Sequence, residues 1–277
     1  MISNAKFRKD IQVIRGLAVL AVVLFHAKES LFSLGYLGVD VFFVISGFVV
    51  TPLILKIFTF NLSEQGRLFR HLSELRKFYF RRFYRLAPAL ASTLIISAFL
   101  IFLFGSPHDH KRFAQQGIST LLLAGNFGAY RYSGDYFYPN PNPLIHTWSL
   151  SVEEQIYISL PLIMVLALYG RIKIKKITGI LFLLITTISF ILFLFPEAFQ
   201  PIYSWAGIKV ASSFLFYSPI SRIWQFTLGG LGLLFLEKYQ DKIRKISKKS
   251  NLTLSILLII ILFSPIQPKP KNFFNSC

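Results

Sequence analysis

The sequence predicts an all-α fold: a polytopic transmembrane helix bundle of about seven to eight spans with no soluble domain. Two observations carry that prediction. Of the 277 residues 54% are hydrophobic and 30 are Phe, the mean hydropathy is +0.56, and apolar runs approaching the ~20 residues a bilayer demands recur along the whole length. The formal charge of +18 would point a soluble protein toward nucleic acid, but here it collects in alternate loops, as cytoplasmic Lys and Arg do in membrane proteins, so no nucleic-acid partner is expected.

The first run is Ile11 to Ala27, preceded by Lys6, Arg8 and Lys9. Arg15 interrupts it and no small-residue cleavage site follows, so it reads as an uncleaved span and not as a signal peptide. Further spans are expected at Tyr36 to Lys56, Leu86 to Phe104, Trp148 to Tyr169, Ile177 to Phe195 and Pro219 to Leu236, with a shorter one at Leu252 to Ile266. Gly117 to Ala129 is too short and too Gly-rich for a crossing. Charge supports leaving it out. Residues 1–10, 57–85, 170–176 and 237–250 then share one side and hold 3, 7, 4 and 6 Lys or Arg, whereas the loops after the third and fifth spans hold only Lys111, Arg112, Arg131 and Lys209. The expected topology has a cytoplasmic N-terminus, seven crossings, and a long external loop from Gly105 to Thr147 that dips into or lies on the membrane. Residues 1–277 form one membrane domain. The only cysteine, Cys277, rules out a disulfide framework and a Cys-based metal site.

Charged and titratable residues inside spans mark candidate sites, because an Arg near a helix centre costs roughly 2.5 to 3.5 kcal/mol on a translocon scale. Arg15 and His26 share the first span. Eleven helical positions turn through about 1100°, so both lie on one stripe, about 16 Å apart along the axis. With the topology above, His26, Asp40, Glu153 and Glu154 gather at the outer level, joined by Arg222. Arg15 and the run Arg81, Arg82 and Arg85 stand at the inner level. Arg82 and Arg85 share a helical face and can clamp a phosphate with planar donors. Blander readings stand beside these: basic residues next to a span anchor topology, Trp148 fits an interfacial belt, Asp40 and Glu153 can be structural ion-pair partners of Arg222 or Arg15, His108 and His110 form no metal site without a third ligand, and Gly229-Gly230 permits close helix packing. No metal is expected.

Five stretches resemble the ordered signature of the integral-membrane acyltransferase-3 family: RKDIQVIRGLAVLAVVLFHA (8–27), GYLGVDVFFVISGFVV (35–50), FYFRRFYRLAPAL (78–90), NPLIHTWSLSVEEQIYISLP (142–161) and SRIWQFTLGGL (221–231). Bacterial members of that family O-acetylate lipopolysaccharide O-antigen and other surface polysaccharides. The family's Arg and His with ten residues between them fall on Arg15 and His26, and its R-x-x-R element on Arg82 and Arg85. Its acidic positions fall on Asp40 and on Glu153 with Glu154. One departure concerns the site: after R-x-W, where similar sequences often carry Glu, this chain has Gln225. Another concerns length. The family's membrane domain has about ten spans, frequently followed by a soluble SGNH-hydrolase-like domain, so a chain of about seven spans is expected to be a C-terminally truncated copy.

The resemblance implies transfer of an acyl group, most simply acetyl, from cytoplasmic acyl-CoA as donor substrate to a sugar hydroxyl of a lipid-linked or surface glycan, at the bacterial cytoplasmic (inner) membrane. No bound cofactor is required. His26 is the expected base, since its unperturbed pKa lies in range, with Asp40 or Glu153 orienting its ring and Glu154 as a further catalytic residue. Arg15, Arg82 and Arg85 would hold the acyl-CoA, and Trp148 and Arg222 the acceptor. Direct transfer and a covalent acyl-His intermediate both remain open. So do two other functions: a transporter or flippase whose polar stripe is a substrate path, and an inactive remnant of an acyltransferase.

Overall fold

The protein's structure, a computed structural model, describes residues 9–27, 34–58, 67–133, 142–168, 174–208 and 210–239. Among the described residues every regular element is helical. In chain order these are α1 (Lys9–His26), a 3-10 turn (Gly35–Leu37), α2 (Gly38–Phe58), α3 (Arg67–Phe104), α4 (Pro107–Leu121), α5 (Gly125–Gly128), a π-helical turn (Ala129–Ser133) and α6 (Thr147–Leu168). There follow α7 (Ile174–Leu194), a 3-10 turn (Pro196–Phe199), α8 (Gln200–Trp205), α9 (Ala211–Tyr217) and α10 (residues 219–239). The predicted span Leu252 to Ile266 lies outside the described residues.

Among the described residues three segments are long and apolar enough to cross a bilayer: Gly35–Ile57, Phe69–Phe104 and Ile174–Leu194. The chain is a helical membrane protein. α1, α6 and α10 coincide with the other expected spans within the described residues. The third expected span is corrected: α3 starts at Arg67, not Leu86, so Arg82 and Arg85 lie well inside a 38-residue helix and not at its mouth. Gly117 to Ala129 is no single helix, because the chain breaks between α4 and α5 at Leu123, whose φ is 56°.

The described residues divide into two compact units, each considered by itself. One contains α1, α2 as far as Pro52, residues 182–186 of α7, and α10 from Trp224. There α2 and α10 meet backbone to backbone: a Cβ at Gly47 would overlap the main chain of Phe226, and one at Gly229 would lie 2.8 Å from the Phe48 nitrogen. Without a hydrophobic force between helices in lipid, such close approach is how they gain dispersion contact. Phe43 and Phe226, both fully buried, pack at 5.1 Å beside it.

The other unit contains α3 to α6, most of α7, α8, α9 and the start of α10. α4 begins in a capping box, with Pro107 at its first position and Ser106 and Asp109 exchanging hydrogen bonds. Two donors from Ser106, Oγ at 2.7 Å and the backbone nitrogen at 3.0 Å, hold the Asp109 carboxyl below its ordinary range. A buried polar hub ties α4 and α5 to α6. Thr120 pairs with Thr147 at 2.7 Å, and Asn126 donates to Gln155 at 3.1 Å and to the Tyr217 carbonyl at 3.0 Å.

Candidate active site

α1 carries both Arg15 and His26, as their spacing requires, and both are half-buried. The His26 Nδ1 lies 2.8 Å from the Val22 carbonyl oxygen, one turn back. A carbonyl only accepts, so the proton is on Nδ1 and the basic lone pair of the neutral ring is at Nε2. The ring is thus oriented by its own helix. Phe25 stands edge-on to the imidazole at 5.1 Å and to Tyr36 at 5.5 Å. Arg15 rests over the Phe42 ring at 4.6 Å, a cation–π contact that steadies a charge inside the bundle.

Asp40, in the first turn of α2, accepts a 2.6 Å hydrogen bond from Gln225 Nε2 of α10. Sequence reading flagged Gln225 only as a departure from the family pattern. In space it is the amide that faces a carboxylate, which a Glu at that position does only by holding a proton. Gln225 is fully buried. The signal that could have found the pair is weak, since the partners are 185 residues apart.

In the second unit α3 and α6 meet through charge. Arg82 Nε donates to both oxygens of Glu154 at 2.7 and 2.9 Å, and Arg82 Nη2 lies 2.6 Å from Glu154 Oε1 and 3.4 Å from Glu153 Oε1. The Tyr157 hydroxyl donates to Glu153 at 2.9 Å, and the Arg82 guanidinium sits 3.4 Å over the Tyr157 ring. All are buried or nearly so; the Arg82 side chain is only 11% exposed. One guanidinium thus serves two carboxylates, with a phenol completing the set. Sequence reasoning missed Tyr157, although its place four residues after Glu153 is the helical spacing for such a bond.

This pairing corrects the two-level scheme. Arg82, assigned to an inner anion site, and Glu153 with Glu154, assigned to an outer acid/base site, occupy one level. Arg82 is engaged by Glu154 through Nε and Nη2. Arg85 and Arg81, by contrast, are exposed. Arg222, 4% exposed, donates from Nε to the Phe216 carbonyl at 3.1 Å and lies 4.7, 5.1 and 5.5 Å from the rings of Phe216, Phe193 and Trp148. Trp148 is 2% exposed. The two residues assigned to the acceptor are therefore packed on each other and fix the start of α10 on α6. Among the described residues no group of three His, Cys, Asp or Glu has the arrangement of a metal site.

A helical membrane protein with an oriented histidine, a carboxylate–amide pair and a buried arginine–carboxylate set belongs to the class in which intramembrane polar groups do chemistry or transport. The comparisons narrow this. The sequence profile of the acyltransferase-3 type, described as an acyltransferase domain, matches residues 8–275, and the chain belongs to that family. It is 30% identical over 278 aligned positions to a putative O-acetyltransferase, SAS0844, of Staphylococcus aureus strain MSSA476, covering 98% of this chain and 42% of that protein. It is 32% identical over 160 residues to the peptidoglycan O-acetyltransferase OatA of Listeria monocytogenes, covering 57% of this chain and 24% of that protein. The O-acetyltransferase OatA of Staphylococcus aureus strain NCTC 8325 is 31% identical over 181 residues, 65% of this chain and 28% of its own length. The chain thus spans less than half the length of the curated relatives it matches. No solved structure matches it.

Proposed function

We propose that this chain carries the membrane part of an O-acyltransferase that moves an acyl group, most simply acetyl, from acyl-CoA to a hydroxyl of a cell-surface glycan. Family membership and the relatives' activities support the reaction class, and a peptidoglycan-type sugar joins lipopolysaccharide and other surface polysaccharides as acceptor. The observation that carries the chemistry is the His26 ring. With Nδ1 donating to Val22, Nε2 is the basic atom, and a sugar hydroxyl is too weak an acid to attack a thioester without a base.

In the direct form, the hydroxyl oxygen forms a bond to the thioester carbonyl carbon while its proton passes to His26 Nε2. The tetrahedral intermediate then breaks its C–S bond, and the proton goes to the departing CoA thiolate. In the stepwise form Nε2 attacks the thioester carbonyl carbon and the C–S bond breaks, releasing CoA thiolate; the hydroxyl oxygen then bonds to the acyl carbon, the C–Nε2 bond breaks, and the hydroxyl proton passes to the freed Nε2 and on to the thiolate. The Val22 carbonyl supports the Nδ1 proton in either route and stabilises the imidazolium. Asp40, held by Gln225, places a negative charge in the same unit. For the donor, Arg15 and Arg85 are the better candidates, because Arg82 is used in holding α3 to α6. The cytoplasmic side for donor binding and the cytoplasmic membrane as location belong to the same proposal. The test is mass spectrometry of surface glycans from cells with and without the chain: an ester-linked acyl mass that depends on the chain supports the reading, and identical glycans refute it.

A further inference from the structure

We propose that α4 and α5 form a re-entrant hairpin, which enters the lipid from the surface where α3 ends, turns at Leu123 within the hydrocarbon and leaves on the same side, with its outer stripe against acyl chains. Three observations, none of which uses the reaction, lead there.

The first is the path of the chain. From Arg82 to Phe104, α3 climbs about 33 Å at 1.5 Å per residue. Its upper part is apolar and open on its surface, with Ile95 69%, Phe102 75% and Phe104 83% exposed, as suits a helix crossing lipid. The 15 residues of α4 then cover about 22 Å. They lead back toward the starting level. The Leu123 carbonyl just beyond α4 accepts from Gln155 Nε2 at 2.7 Å, and Gln155 adjoins Glu154, the partner of Arg82. α4 therefore descends through about two thirds of the slab that α3 has climbed.

The second is a gradient along α4. Its exposed residues begin as His108, His110 and Lys111, pass through Ala114, and end as Ile118, Leu121 and Leu122, which are 61%, 65% and 73% exposed. A helix lying on a membrane keeps a polar face and an apolar face along its whole length. A change from charged to apolar along the axis is that of a helix passing from water into hydrocarbon.

The third is the turn itself. Positive φ at Leu123 ends the helix and frees main-chain groups, and side chains take them up: Gln155 Nε2 donates to the Leu123 carbonyl, Ser151 Oγ accepts from the Gly125 nitrogen at 2.9 Å, and Gln116 Nε2 donates to the Gly125 carbonyl at 2.9 Å. Irregular backbone at membrane depth survives only when the protein satisfies it in this way. The hairpin also places Glu153 and Glu154 at its foot, well below the surface from which it enters.

Single cysteines at Lys111, Ile118 and Leu121, each in the full chain carrying Cys277→Ser, test the proposal in sealed right-side-out and inside-out membranes. An impermeant maleimide should label Lys111→Cys from one side, and Ile118→Cys and Leu121→Cys about tenfold more slowly or not at all from either. A fluorophore attached at Leu121→Cys should be quenched more by lipids brominated deep in the acyl chain than by those brominated near the headgroup. Labelling of Leu121→Cys as fast as Lys111→Cys would overturn the proposal and make the segment an external loop. Labelling of Leu121→Cys from the opposite side would overturn it in favour of a full crossing, and equal shallow quenching at all three positions in favour of a surface helix.

Discussion

Removing the Arg82 guanidinium should unfold the contact between α3 and α6. In Arg82→Met the two carboxylates of Glu153 and Glu154, 6% and 10% exposed, lose the guanidinium that lies within 4 Å of both. Leaving a buried charge without its partner costs about 3–5 kcal/mol, which is roughly a 150- to 5000-fold change in the folded-to-unfolded ratio. Arg82→Lys keeps the charge but reaches fewer oxygens and gives up the guanidinium stacked 3.4 Å over Tyr157, so a loss of about 1.5–3 kcal/mol, that of a charge-assisted hydrogen bond, is expected. Arg82→Met with Glu154→Gln should be less destabilised than Arg82→Met alone, since one of the stranded charges is gone. The assay is reversible unfolding of the full chain in mixed micelles by added SDS, followed through fluorescence of its tryptophans, of which Trp148 is buried in this unit. A loss below about 1 kcal/mol in Arg82→Met, with no coupling to Glu154, would refute the pairing and return Arg82 to the donor site.

Arg85, exposed on the same helix, should behave in the opposite way: Arg85→Lys leaves unfolding unchanged and weakens the dependence of glycan acylation on acetyl-CoA, measured in membranes at matched abundance. Gly47→Leu should prevent folding, because its side chain has nowhere to go but into the Phe226 backbone; recovery of a normally folded chain from membranes would contradict the helix crossing. The Asp109 carboxyl is held below its ordinary range, so its contribution to the first turn of α4 is complete above the unfolded value of about 3.9 and is lost as pH falls through the lower folded value. Amide exchange in that turn, corrected for intrinsic rates, should therefore speed up only in acid, and Ser106→Ala should remove the acid step. For topology, Ser204→Cys should be labelled from outside intact cells and Lys175→Cys only after permeabilisation; the reverse pattern would invert α7.

Much of the fold is legible in hydropathy, because lipid-facing helices advertise their length and the loops between them collect Lys and Arg. Depth is less legible. The polar, aromatic stretch from Arg67 to Arg85 has no apolar signature, yet it continues α3 for about five turns, so a reading based on apolar runs set Arg82 at the membrane edge and away from Glu154. The site residues themselves were visible as charges in the wrong solvent. Their partners were not, since Asp40 with Gln225 and Arg82 with Glu154 are brought together by helix packing over 185 and 72 residues of sequence. The Val22 carbonyl that orients His26 is main chain, which no residue pattern displays.

The most direct test of the central claim is ester-linked acetate on surface glycans from cells making the chain with His26 or with His26→Gln, at equal membrane abundance. Gln can still hydrogen-bond but accepts neither a proton nor an acyl group. The account predicts acetate above the chain-free background with His26 and none above it with His26→Gln. Equal acetate from both would mean that His26 is not the base, and the proposed chemistry would be wrong.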